Sequence, residues 1–223
     1  MVLHVTSQEE AQESGRQFSR AKAFTIANGV TIPNCINHVD RNGRLRLLYL
    51  GRLHPKKGIE NLIIGFKLWK QESPTPSSLT IAGLGDDRYT ASIKALINEL
   101  DLTTQITIKN HVLGEAKDML FANADMVVVP SHTENFGMVV AEALAHAVPV
   151  IASKGTPWKR IENIGCGLWV DNSPQSLANA IGELQQMPLE EMGQRGREWM
   201  CREFSWRRCA ILMTTIYDYL INY

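Results

Sequence analysis

From residue 44 onward, apolar and polar positions fall into two rhythms that take turns along the chain. Short apolar runs read as buried strands: RLLYLG (46–51), SLTIAG (78–83), QITIKNHV (105–112), MVVVP (126–130), PVIAS (149–153) and GLWV (167–170). Between them, apolar residues recur at helical spacing over GIENLIIGFKLWKQ (58–71), 87–102, about 115–123 and the segment after Gly137. Everything from Pro174 onward reads as helix. Strict alternation of strand and helix predicts an α/β fold, a Rossmann-like doubly wound parallel sheet.

Residues 1–40 keep a different rhythm. VLHVTS reads as a strand, and Ser7 caps a helix over EEAQESGRQF with acids in its first turn. AFTIANGVTIP reads as a short strand with an Asn28-Gly29 turn, and RNG (41–43) as a second turn. Two strands and a helix cannot bury a core alone. This first segment is therefore expected to pack on the main domain, 41–223, or on material outside the chain. The aromatics Trp199, Trp206, Tyr217 and Tyr219 fall at spacings that suggest core positions.

Composition narrows the function classes. The 223 residues carry no formal net charge, which argues against a polyanion-binding surface and so against nucleic acid. Cysteines 35, 166, 201 and 209 lack CxxC spacing, so they read as reduced thiols of a cytoplasmic protein, with no metal site. No apolar run approaches the roughly 18–20 residues of a membrane span, so no span is expected and peripheral membrane contact stays open.

Candidate chemistry gathers at the predicted strand ends, where such sheets bind ligands. In SHTENFGMVVAEALAHAVPV (131–150), Glu134 sits at a loop tip formed with Asn135, Phe136 and Gly137, and Glu142 in the second turn of the following helix. On one continuous helix the two would share a face about 12 Å apart. Two acids beside a helix start are also what the dipole favours on a solvated surface. In GRLHPKKG (51–58), Arg52, Lys56 and Lys57 offer a guanidinium fork and ammonium groups, suited to a diphosphate on which charge develops. In IAGLGDD (81–87), Gly83 and Gly85 let backbone approach a nucleotide, but Arg88 replaces the third glycine of a dinucleotide fingerprint. KNHV (109–112) ends another strand, with backbone groups available to a base. Trp158, after Gly155, Thr156 and Pro157, reads first as a packing residue and second as a sugar-site wall.

GRLHPKKG, IAGLG, PSHTENFGMVVAEALA and the late FSW, in that order, resemble the glycosyltransferases of family four. These are retaining enzymes with two Rossmann-like domains facing across a cleft, the GT-B architecture. The resemblance covers about residues 44–223, the donor-binding domain, and the SKGTPW…GCGLWV variant resembles a subgroup of bacterial exopolysaccharide and lipopolysaccharide assembly. It implies that Arg52 and Lys57 bind the donor diphosphate, Glu134 the sugar hydroxyls and Glu142 the ribose. Asn135 and the backbone of Phe136, Gly137 and Met138 would meet sugar and phosphate, and Val112 the base. The implied substrates are a nucleotide-diphosphate sugar and a glycan or lipid-linked acceptor, with no cofactor.

Two residues depart from the family pattern. Ala147 stands in a glycine's place, which at positive φ costs about 1 kcal/mol. Lys159 falls where many relatives place a glutamate. VLHVTSQEEA and TIANGVTIP resemble the end of an N-terminal domain and its linker, so a further domain of about 150 residues is expected before Met1. That expectation predicts an apolar patch and either a separate N-terminal partner or self-association. The competing readings are a non-catalytic sugar-nucleotide-binding module, a GT-B-like sugar-nucleotide epimerase, and a phosphorylase, for which no pyridoxal-type lysine signature is present.

Overall fold

A computed structural model describes residues 2–18, 22–36, 38–40 and 43–222. Six parallel strands form the main sheet: β3 (Leu45–Leu50), β4 (Ser77–Ala82), β5 (Ile106–Lys109), β6 (Met126–Val129), β7 (Val150–Ser153) and β8 (Gly167–Val170). Their spatial order is β5-β4-β3-β6-β7-β8. The chain enters at the centre, winds outward to β5, returns beside β3 and winds to the other edge. The switch point therefore lies between β3 and β6, and the loops after these two strands flank it.

The strand period of two sorts the core into two layers. Leu45, Leu47, Tyr49, Leu79, Ile81, Met126, Val128 and Ile151 join the layer of α2 (Ile59–Glu72), α3 (Asp87–Glu99) and α7 (Pro174–Gln185). Leu48, Leu50, Val127, Val129, Val150 and Ala152 join that of α4 (Glu115–Ala122), α5 (Met138–Ala145) and the end of α8 (Leu189–Trp199). The doubly wound sheet expected from the alternation is what forms. At the opposite end from the loops, Asp125 joins its two halves: it accepts from the Arg46 N–H at 2.7 Å and pairs with the Arg46 guanidinium at 2.9 Å.

Before this domain, β1 (Val2–Val5), α1 (Gln8–Gln17) and β2 (Lys22–Thr25) form a small parallel crossover of their own. Ser7 caps α1 as expected, its hydroxyl accepting from the Glu10 N–H at 3.1 Å. Asn28 and Gly29 make no turn. The chain runs on to Val30, whose N–H donates to the Phe204 carbonyl at 2.7 Å. The Trp206 ring lies over Gly29, where an added Cβ would come within 2.4 Å of it, so a larger residue would displace that ring. Of the second expected turn, Arg41 and Asn42 lie outside the described residues, and Gly43 has φ 73°.

Other element ends also differ from expectation. The helix expected over 87–102 stops at Glu99, because Asp101 turns to φ 56° and its N–H and that of Leu102 return to the Asn98 and Ile97 carbonyls. That is a Schellman cap with aspartate in the glycine position, so no glycine marks it in the sequence. The strand expected over 105–112 ends at Lys109, because β4, its neighbour, ends opposite it at Ala82. Val112 is thereby a loop residue. Of the aromatics expected in the core, only Trp199 is buried. Trp206, Tyr217 and Tyr219 lie on α9 (Trp206–Asn222), in which Cys209 is the one buried residue.

Candidate functional site

The loop after β3 is shaped by local rules. Pro55–Lys57 form a single 3₁₀ turn, capped by the His54 ring accepting from the Lys56 N–H at 3.1 Å. Gly58 closes it at φ 62°, and a Cβ there would lie 2.2 Å from the Pro130 carbonyl. The basic loop is thus seated against the start of the acidic loop that follows β6. The His132 N–H donates to the Lys56 carbonyl at 2.9 Å, which seals the junction.

Glu134 stands where four strand-end loops meet. Its N–H donates to the Gly155 carbonyl at 2.8 Å, and Gly155 has no room for a Cβ against Ser131 and His132. The Asn172 amide holds the Pro130 carbonyl at 2.5 Å. The Glu134 carboxylate accepts from Lys57 Nζ at 2.5 Å and from the Ser131 hydroxyl at 2.8 Å. Both charged side chains are about four-fifths buried, so the pair is charge-assisted and weakly screened by solvent. Burial first, and the Glu134 charge second, push the Tyr49 hydroxyl pKa up. The neutral hydroxyl donates to the Arg52 carbonyl at 2.9 Å, fixing the base of the basic loop.

Gly137, at φ 79°, starts α5, and no side chain caps that helix. Its first amides and the positive end of its dipole are left for an anion. The turn before it is held from behind: Phe136 is buried, and its carbonyl accepts from the Trp158 indole N–H. Trp158 packs in turn with Phe204 and Trp199. It is the packing residue expected, with a hydrogen bond to the acidic loop in addition.

Arg52, Lys57, Glu134, Asn135, Phe136, Gly137 and Met138 line one cleft of about 540 Å³ at the switch point. Four other candidates lie outside that lining. A Cβ on Gly83 would meet the Gly51 carbonyl at 1.8 Å, and one on Gly85 the Leu53 carbonyl at 2.5 Å, so both glycines admit the neighbouring loop. Val112 lines a separate cavity of about 520 Å³ with Lys109, Ala116 and Met119. Glu142 lies in the second turn of α5, paired with Lys117 of α4 at 2.8 Å. Tyr49, Ser131, Asn172 and Lys117 went unnoticed in the sequence. Ser131, three residues before Glu134, and Tyr49, three before Arg52, lay near enough in the chain to be found from it.

The glycine's place taken by Ala147 is indeed a left-handed cap: φ is 55°, and the N–H groups of Ala147 and Val148 return to the Leu144 and Ala143 carbonyls. Lys159 lies over the Trp169 ring at 5.8 Å. Among the described residues, no group of histidines, cysteines or acids is arranged to hold a metal ion. No described helix is long and apolar enough to cross a membrane.

The chain is 30% identical over 180 residues to an uncharacterized glycosyltransferase of Methanocaldococcus jannaschii, covering 77% of this chain and 44% of that protein. It is 28% identical over 170 residues to a GDP-mannose-dependent α-(1-6)-phosphatidylinositol dimannoside mannosyltransferase of Mycobacterium tuberculosis, covering 76% of this chain and 43% of the relative. The chain thus spans a little under half the length of these relatives. Sucrose-phosphate synthase of Thermosynechococcus elongatus superposes with a TM-score of 0.86 at 26% identity, over 99% of this chain and 58% of its own. Anabaena HepE, solved with UDP and glucose, shares the fold with a TM-score of 0.81 at 19% identity, over 100% of this chain and 63% of its own. The family model of the glycosyl transferases group 1 matches residues 37–199, and the chain belongs to that family.

Proposed function

We propose that this chain is the donor-binding half of a retaining glycosyltransferase of family four, moving a hexose from a nucleotide-diphosphate sugar to a glycan or lipid-linked acceptor. The observation that carries the reading is the largely buried Glu134 carboxylate, held by Lys57 and Ser131 beside Arg52 and the uncapped start of α5. As the glycosidic bond breaks, negative charge grows on the departing diphosphate. Arg52, Lys57 and the α5 amides stabilise that charge, and a water-excluded site strengthens the effect. Glu134 accepts from sugar hydroxyls. Glu142 accepts from the ribose, and the Val112 backbone meets the base. The acceptor attacks on the face the diphosphate leaves, and a diphosphate oxygen takes its proton, so no carboxylate acts as nucleophile and no metal is assigned a part.

Residues 1–40 are then the end of an acceptor-side domain and its linker, and the half-length match to relatives supports this. The named donor of the mycobacterial relative is GDP-mannose and HepE was solved with UDP. A nucleoside diphosphate is common to both, whichever base this chain takes. Free thiols fit a cytoplasmic setting, and the resemblance of the SKGTPW…GCGLWV variant supports a product used in exopolysaccharide or lipopolysaccharide assembly.

Isothermal calorimetry with UDP, GDP and ADP and their sugars tests the reading. Saturable binding of at least one, weakened about tenfold or more by Glu142→Ala, is expected from the loss of a hydrogen bond to a charged group. Binding of none of them overturns it.

A further inference from the structure

We propose that Lys117 is a positioning residue that holds Glu142 in the orientation needed to grip a ribose, and so sets the preference for ribonucleotide over deoxyribonucleotide donors. The inference rests on the donor-site reading above, in which Glu142 meets the ribose. Lys117 lies on α4, which directly follows the loop carrying Val112, and Glu142 lies on α5. The Lys117 ammonium donates to Glu142 Oε1 at 2.8 Å, with both side chains about three-quarters or more buried. Among the described residues, Glu142 Oε2 has no protein partner.

A carboxylate offers about four acceptor sites in one plane. A lysine bound to one oxygen fixes that plane and leaves the other oxygen, with the remaining lone pair of the first, for two hydroxyls. The helices that carry the pair are locked beside it. His146, at the end of α5, places Nδ1 against the Glu142 carbonyl at 2.7 Å and Nε2 against Asp118 of α4 at 3.1 Å. Its ring stacks on Phe121 with centroids 4.5 Å apart. Lys117 and Asp118 are consecutive on α4, and their partners Glu142 and His146 are one turn apart on α5. With this second crosslink, loss of Lys117 frees the carboxylate without freeing the helix. Lys117 also offsets a negative charge that would oppose a nearby diphosphate.

The test compares UDP, GDP and ADP with their 2′-deoxy counterparts on the 223-residue chain, its Lys117→Met variant and its Lys117→Arg variant, with thermal melting recorded for each. The parent is expected to favour the ribonucleotide by about tenfold or more, as befits a hydrogen bond to a charged group. Lys117→Met should cut that ratio to about threefold or less, and Lys117→Arg should restore most of it. If the parent discriminates and Lys117→Met discriminates equally, the inference fails while the donor site stands. A lower melting temperature with an unchanged ratio has the same meaning, since it assigns Lys117 a purely structural part. If the parent binds no nucleotide, or binds both sugars alike, the assignment of Glu142 to the ribose fails and takes this inference with it.

Discussion

Ala147 shows what one residue can carry. At φ 55° it occupies a left-handed cap where glycine is the usual choice. Ala147→Gly relieves backbone strain but adds chain entropy to the unfolded state, so a net gain of about 0.5 kcal/mol is expected in urea denaturation. A loss above about 1 kcal/mol would show that the alanine methyl is needed for packing. The opposing position is less tolerant. A Cβ on Gly193 would lie 1.9 Å from the Ala147 carbonyl, and Gly193→Ala should cost about 2–3 kcal/mol in the same measurement. Cys166 gives a pH signature. Burial pushes its thiol pKa up to about 12 from an ordinary value of 9.0. Above pH 9 the unfolded chain releases this proton and the folded chain keeps it, so stability falls as pH rises from about 9 towards 12. The slope is at most about 1.4 kcal/mol per pH unit from this group. A Cys166→Ala variant should lose part of that alkaline slope, and an identical slope in both proteins would refute the assignment.

Elements meet at the site through contacts that leave no room for side chains. Gly58→Ala would need φ 62° and a Cβ 2.2 Å from the Pro130 carbonyl, which forces the basic and acidic loops apart. A loss of about 3 kcal/mol of stability is expected, together with loss of saturable nucleotide binding. Unchanged binding would show that Lys57 and Glu134 work without that junction. The strands of the main domain were legible in the sequence because two-sided burial makes the inner β6 and β7 almost wholly apolar, while β4 and β5 keep apolar residues at alternate positions. The basic and acidic loops were legible because their residues are contiguous. What escaped was pairing between distant segments: Lys117 with Glu142, Asn172 with Pro130, the Trp158 indole with the Phe136 carbonyl. Caps escaped where Asp101 or Ala147 takes a glycine's role. The outward face of α9 escaped because helical spacing alone does not say which way a stripe points.

At the scale of the whole molecule, α9 presents Trp206, Ile211, Tyr217, Tyr219 and Ile221 to solvent, with Ile221 80% exposed. Near its end, Tyr219 meets Phe24 of β2 edge-on, ring centroids 6.3 Å apart. Exposed apolar residues along one helix should make the chain self-associate reversibly. Sedimentation equilibrium should show mass rising with concentration, and the pair Ile211→Glu and Ile221→Glu should suppress it. A monomer at all concentrations would rule this out. The Arg46–Asp125 link bears on how the molecule is made. Its partners are 79 residues apart in the chain. During synthesis at about 5–20 residues per second, Arg46 emerges roughly 4–16 s before Asp125. Once β4 has emerged, and until β6 follows, β3, the future centre of the sheet, has one paired side and one open edge, the state in which unpaired strands invite the wrong neighbour. The Arg46 N–H and guanidinium, at the start of that edge, wait for their carboxylate until Asp125 and β6 emerge, so the link closes only when the second half of the sheet does.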